Sequence, residues 1–303
     1  MLRTIFLKLS VNKTLRHWME SSFAARRITG RFVAGTELND GLAVARVLAG
    51  RQIQIALDHL GENVSTPAEA REAGRVALDS LQALSELQLN GTIAVKLTQL
   101  GLDLSVDEAL ANLRPLLELA KRAETRVEID MESTVYTERT LEIVRLVNAE
   151  FGSVRAVIQA YMYRSEADIR QLNLEGIPVR LCKGAYQEPP NYVMQEKESV
   201  DKNYVRLMEL LLTEGVDPAI ATHDPAIIDH ALRFVAGQGI AASRFEFEML
   251  YGVRRDLQQM LVDRGFRLRL YVPYGDAWYP YFLRRLAERP ANVWFVVRNM
   301  FRS

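Results

Sequence analysis

Two short stretches decide the fold: Phe245 Glu246 Phe247 Glu248 Met249 and Arg267 Leu268 Arg269 Leu270 Tyr271. Each alternates a charged residue with a bulky apolar one, the period of two that a β-strand imposes on its side chains. Strands of a parallel sheet covered by helices on both faces read instead as near-continuous apolar runs. The alternation therefore assigns one face of these strands to apolar packing and sets the charged face elsewhere. Charges on an interior face are tolerated only in opposite-signed, hydrogen-bonded company. Other stretches supply that company. Val127 Glu128 Ile129 Asp130 Met131 Glu132 alternates in the same way, Arg180 lies between Val179 and Leu181, Gln159 sits in an apolar run, and Lys96 ends another. Acids and bases in near balance, contributed by several strands, describe the lined interior of a closed barrel.

Working outward, apolar runs occur at 52–57, 92–97, 126–131, 155–161, 178–182, 217–222, 244–250 and 267–272. Helical patterns lie between them at 67–89, 107–122, 137–150, 166–173, 199–214, 225–237 and 253–264, and a last one starts near 278. Thr66-Pro67 before Glu69 and Asp224-Pro225 are helix-start signals. Eight strand–helix units in roughly 250 residues predict an α/β fold of the TIM type, a (β/α)₈ barrel with N-terminal helices. A doubly wound open sheet is the alternative, and the strand count favours closure. The expected division is an N-terminal helical segment over 1–50, with helices at 1–29 and 36–49, and a catalytic barrel over 51–303. Gly237 Gln238 Gly239 Ile240 Ala241 Ala242 matches the spacing of a dinucleotide fingerprint, but it follows a helix and precedes a strand, the reverse of the required order.

The chain has 303 residues, 49% hydrophobic and 25% charged, with no net charge. That balance gives no reason to expect a nucleic-acid partner. One cysteine, Cys182, excludes an internal disulfide and suits a cytoplasmic chain. His17, His59, His223 and His230 lack metal-ligand spacing, so no metal site is expected. No apolar run reaches the ~18 residues needed to cross a bilayer. Residues 1–31 carry Arg3, Lys8, Lys13, Arg16, Arg26, Arg27 and Arg31 against one acid, Glu20. A capping helix with a solvated basic face and a membrane-surface helix are both open readings of this segment.

Near the end stands Tyr271 Val272 Pro273 Tyr274 Gly275 Asp276 Ala277 Trp278 Tyr279 Pro280 Tyr281 Phe282 Leu283 Arg284 Arg285. A strand passes through a Pro/Gly turn into a helix bearing two arginines behind a turn of aromatics. Helical spacing places Tyr281 beside Arg284 or Arg285, with Glu288 one turn on. A guanidinium fork matches a carboxylate bidentately, so the reading is a clamp for a small carboxylate. An arginine pair on a solvated face is the plainer alternative. Active sites of this barrel sit at the C-terminal strand ends. Those ends carry Lys96, Asp130, Gln159, Arg180 to Tyr186, Thr222-His223, Leu250-Tyr251-Gly252 and Tyr271 onward, with Leu60-Gly61-Glu62 after the first strand.

Taken in order, LGE at 60–62, Lys96 ending VKL, EIDMES at 128–133, QAYMYRS at 159–165, VRLCKGAYQEP at 179–189, ATHD at 221–224, FEFEMLYG at 245–252 and YGDAWYPYFLRRLAERPAN at 274–292 resemble proline dehydrogenase in its short, single-function bacterial form. The resemblance is collinear over about 50–303. It implies a barrel that holds FAD, oxidises L-proline to Δ1-pyrroline-5-carboxylate and passes electrons to a membrane quinone. It also implies that Arg284, Arg285 and Lys96 hold the proline carboxylate, while Asp130, Tyr271, Leu250 and Tyr281 shape the proline pocket. Arg180 would lie near flavin N5. Gln159, Cys182, Lys183, Gly184, Ala185, Thr222 and His223 would line the cofactor. A Glu62–Arg284 ion pair would close over bound substrate. The departure is Gln187, where some relatives carry an aromatic that packs on the cofactor. A cytoplasmic enzyme with peripheral contact at the inner face of the plasma membrane is the corresponding expectation. Two other functions fit parts of the sequence: a Schiff-base aldolase using Lys96 or Lys183, and a membrane-surface or partner-binding protein using its basic N-terminal helix.

Overall fold

A computed structural model describes residues 30–61, 64–279 and 281. Eight parallel strands close into one barrel in sequence order: β1 Gln54–His59, β2 Gly91–Val95, β3 Val127–Ile129, β4 Val154–Gln159, β5 Val179–Cys182, β6 Ala219–Ala221, β7 Glu246–Leu250 and β8 Leu268–Tyr274. The ring is sealed by β1 against β8, in register from Gln54 beside Arg269 to His59 beside Tyr274. Closure excludes the open doubly wound sheet. The helices are α1 Leu38–Ala49, α2 Pro67–Glu86, α3 Val106–Arg122, α4 Thr137–Phe151, α5 Ser165–Leu174, α6 Lys197–Glu214, α7 Pro225–Gln238 and α8 Arg255–Asp263.

Local chemistry sets the helix ends. At α2 the Thr66 hydroxyl accepts from Glu69 N at 3.3 Å, while Glu69 accepts from Thr66 N at 3.0 Å, a reciprocal cap that satisfies two orphan donors. Asp224 accepts from Ala226 N ahead of α7, with Pro225 in the first turn. That helix stops at Gly239, whose φ of 66° is left-handed. The Gly237–Gly239 pair is thus a helix terminus and not a phosphate loop.

The strand faces divide as the alternation requires. Ile55, Leu57, Ile93, Val127, Phe247 and Leu270 join the apolar layer between sheet and helices. The outer faces of β1 and β8 are covered by α1, which buries Gly41, Leu42, Ala45 and Leu48. Gly41 matters here, because the Tyr274 ring and Leu57 lie against its Cα.

Most boundaries shift by a residue or more, and two of the shifts bear on the site. β1 starts at Gln54 instead of 52, because Gln52 N and Ile53 N bond back to Ala49 O and Leu48 O in a turn that closes α1. It then runs on to His59. β8 likewise continues through Pro273, which lacks an amide hydrogen but whose carbonyl accepts from Ala34 N at 2.9 Å. Glu62, Arg284, Arg285, the helix expected at 1–29 and most of the helix expected from 278 lie outside the described residues.

Candidate active site

The inner face of the barrel is built in layers. Lowest is an arginine–carboxylate network. Arg155, with no exposed surface, bonds Glu246, reaches Glu128 at 3.3 Å and donates to Asp217 O at 3.2 Å. Arg269 donates to Glu246 at 2.7 and 3.1 Å and to Ile55 O at 2.9 Å. Burial alone would raise Glu246, but Arg269 and Arg155 overcome it and hold this carboxyl well below the usual range. Carboxylate oxygens of Glu128, Glu246 and Glu248 converge within 4.8 Å of one another. Arg155, Arg180 and Arg269 supply the positive charge at that point, so the cluster is an arginine network in character.

Arg180 forms the next layer. Its guanidinium donates to Glu128 at 2.9 Å, to Glu248 at 2.6 Å and to Asp130. It also lies over the Tyr271 ring, 5.1 Å from the centroid, a favourable cation–π placement. The Arg180–Glu248 hydrogen bond ties this guanidinium to β7, and it coexists with a position beneath the barrel mouth.

At the mouth, Lys96 sits between Asp130 at 3.3 Å and Asp58 at 3.5 Å. Burial would pull its ammonium down, yet the two carboxylates outweigh that and hold it above its ordinary range. Asp130 also accepts from Tyr271 OH at 2.8 Å. Burial opposes ionisation of Asp130, but Arg180 and Lys96 prevail and lower it. Burial, with the Asp130 charge, pushes the Tyr271 phenol far up, so it serves as a neutral donor. Leu250 packs on Tyr271, Ala56 and Ala94 to form an apolar wall. Tyr281 is buried, and its proximity adds to the lift on Tyr271. Of the residues expected to shape the pocket, Lys96, Asp130, Leu250, Tyr271 and Tyr281 thus converge at one end of the barrel.

The residues expected to line a cofactor occupy the adjoining rim. Gln159 Nε2 donates to Glu132 O at 2.9 Å. Burial pushes the Cys182 thiol up to about 11, which makes it a small apolar group and not a thiolate. Gly184 has φ +107°, and a Cβ there would collide with the Tyr161 ring. Ala185 and Gln187 are exposed beyond it. Lys183 is ion-paired with Asp201 and Asp224. Thr222 is buried, and its hydroxyl accepts from Asp224 N at 3.1 Å. His223 is the most informative. Leu250 N donates to its Nε2 at 2.7 Å. A backbone amide can only donate, so Nε2 is unprotonated and the ring proton is on Nδ1.

Sequence reading missed Asp58, 1% exposed and paired with Lys96. The signal was present: Gln54, Ala56 and Asp58 alternate with Ile55 and Leu57. The expected strand ended at 57, one residue short. Glu132 was noted only as part of an alternation; it accepts from Thr98 N and Oγ1 at 3.1 and 2.6 Å and ties the loops after β2 and β3 together.

Comparison with known proteins bears on the family and the fold. The family model described as proline dehydrogenase matches residues 42–298. The chain is 41% identical over 303 residues to Proline dehydrogenase 1 of Bacillus subtilis, covering 100% of both chains. It is 38% identical over 278 residues to Proline dehydrogenase of Deinococcus radiodurans, covering 90% of each. The crystal structure of proline utilization A (PutA) from Bdellovibrio bacteriovorus inactivated by N-propargylglycine superposes with a TM-score of 0.83 at 25% identity. The match covers 95% of this chain and 36% of that one, so the chain spans about a third of that protein. By family model, by full-length relatives and by fold, this chain belongs to the proline dehydrogenase family.

Proposed function

We propose that the chain oxidises L-proline to Δ1-pyrroline-5-carboxylate with FAD as immediate acceptor and a membrane quinone as the next, the first step of proline catabolism. Proline oxidation follows from the family; the acceptors go further. The observation that carries the proposal is the convergence of Lys96, Asp130, Tyr271, Leu250 and Arg180 at the C-terminal end of one barrel.

The residues present fit FAD. Gly184 lets the turn after β5 pass the rim as bare backbone, because the Tyr161 ring takes the space a side chain would fill. The rim brings together His223, whose ring proton is set on Nδ1 by the bond from Leu250 N, the Gln159 amide and the Lys183 ammonium. Arg180, His223, Gln159, Thr222 and the Gly184–Ala185 backbone would hold the group. When bound, FAD supplies the two-electron acceptor for the hydride that leaves the proline ring.

The chain itself has to bind, orient and shield. Lys96 presents a charged ammonium at the mouth, suited to the proline carboxylate. The resemblance adds Arg284 and Arg285, which lie outside the described residues. Asp130 positions Lys96, Arg180 and the Tyr271 hydroxyl through hydrogen bonds to each. Tyr271 and Leu250 present the apolar wall against which a five-membered ring is oriented, and orientation at near-attack distance supplies a large share of such a barrier. Arg180 provides a fixed cation where negative charge develops. The Schiff-base alternative loses ground on Lys96. An amine nucleophile must be deprotonated, whereas Asp58 and Asp130 hold this one charged. Among the described residues no helix is long and apolar enough to cross a membrane. Contact with a membrane quinone would therefore be made from the bilayer surface by this part of the chain.

The visible absorption spectrum of the purified protein tests the reading. A flavin spectrum that L-proline bleaches without oxygen is expected. A colourless protein, or a flavin that proline leaves oxidised, rejects it.

A further inference from the structure

Among the interior acids of the arginine network, Glu248 has an oxygen that no donor reaches. Its Oε1 accepts from Arg180 Nη1 at 2.6 Å, and its Oε2 is buried with no hydrogen-bond partner. Its strand neighbour Glu246 accepts from Arg155, Arg267 and Arg269. Glu128 accepts from Thr92 at 2.9 Å and from Arg155 on one oxygen, and from Arg180 on the other. The same Arg180 nitrogen therefore faces two carboxyl groups, Glu128 and Glu248. Two like charges on one donor cannot both ionise cheaply where water is excluded, and Glu248 is only 2% exposed.

The surroundings decide which of the pair carries a proton. Facing Glu248 are Arg180 on β5, Glu128 on β3 with Asp130 just after it, Arg155 on β4, Glu246 on its own strand and, in register beside it, Arg269 on β8. The Cys182 thiol and, from α6, the Tyr204 phenol feel its charge. Glu128 has donors on both oxygens, and Glu248 has one donor on one oxygen. Burial, with Glu128 and Glu246 adding to it against Arg180 and Arg155, pushes Glu248 up to about 8.

We propose that Glu248 is a positioning residue for Arg180 that carries a removable proton. As the neutral acid it holds the guanidinium without cancelling its charge; as the carboxylate it cancels part of that charge. The consequence for the cofactor rests on the FAD reading. At neutral pH the site keeps the share of the Arg180 field that Glu128 and Asp130 leave, which favours the negative charge that reduction adds. Above about pH 8 the carboxylate forms and that advantage shrinks.

The test compares Glu248→Gln with the parent in two measurements. Glutamine keeps an acceptor for Arg180 and cannot titrate. The first is the melting temperature from about pH 5 to about pH 9. A raised carboxyl costs the parent stability as pH climbs from the ordinary carboxyl range to about 8. Relative to the parent, the variant should therefore gain melting temperature across that window and level off above it. A difference that stays constant with pH overturns the proposal, whatever cofactor is bound. The second is the reduction potential of the bound flavin against pH. The parent should fall below the variant above about pH 8, and the two should coincide below it. Parallel curves would leave Glu248 a structural partner only and overturn the positioning role. If the variant does not fold, infrared spectroscopy of the parent decides: a protonated-carboxyl band that vanishes as pH rises through about 8 supports the proposal, and its absence at neutral pH overturns it.

Discussion

Arg180 is the residue on which the most chemistry converges. It binds Glu128, Asp130 and Glu248 and rests on Tyr271, so it has both a structural and an electrostatic task. Arg180→Met separates the two. Losing the shared cation strands buried carboxylates, and breaking such a set typically costs about 3–5 kcal/mol, readable by denaturant unfolding. If FAD is the acceptor as proposed, the same substitution should lower its reduction potential. A stability loss with an unchanged potential would leave Arg180 only its ion-pair task. The alternation around Val179 and Leu181 already pointed this side chain inward. Glu246 and Glu248 were both candidate partners from the alternation of their strand; the choice of Glu248, with Glu128 and Asp130 added, was not readable, because it depends on how far each strand is staggered around the ring.

At the scale of elements, the turn leaving β5 and the helix α1 carry most of the consequence. Gly184 combines a left-handed φ with the Tyr161 ring against its Cα. Gly184→Ala should cost about 1–3 kcal/mol in stability, as a strained backbone position does. It should also lower the flavin-to-protein ratio that survives gel filtration. A fully loaded, equally stable variant would remove this turn from the cofactor cradle. The helix α1 shows what pattern alone withholds. Its apolar residues predicted a helix over 36–49, close to the observed Leu38–Ala49. Nothing local said that it would cover the seam between β1 and β8. That seam exists only once the barrel closes, and α1 is what keeps the outer faces of Leu57 and Tyr274 from water. The strand limits failed at the same seam. Pro273 reads as a strand end, yet pairing with β1 carries the strand past it to Tyr274.

At the scale of the molecule, no described helix is long and apolar enough to cross a bilayer, so the proposed membrane contact has to be tested at the surface. The basic segment at the N-terminus suggests docking on anionic lipid. Arg31 donates to Gly252 O at 3.2 Å and so ties the chain to the loop after β7, which places the useful truncation before it. Deleting 1–29 should preserve proline oxidation with a soluble dye and weaken binding to anionic vesicles, most visibly at low salt. Equal vesicle binding by the truncated and full chains would count against the idea.

The sequence by itself determined the order of strands and helices, the closed barrel, the inward face of the strands that alternate and the family. These follow from periodicity, capping and collinear motifs, which are properties of neighbouring residues. Only the tertiary structure decided the partnerships. Tyr271 meets Asp130 across 141 positions of chain, Asp58 takes its place beside Lys96, and Glu248 is left with one unmatched oxygen. Alternation says that a charge points inward. Which opposite charge it finds depends on closure and stagger, and those are set by the packing of the whole ring.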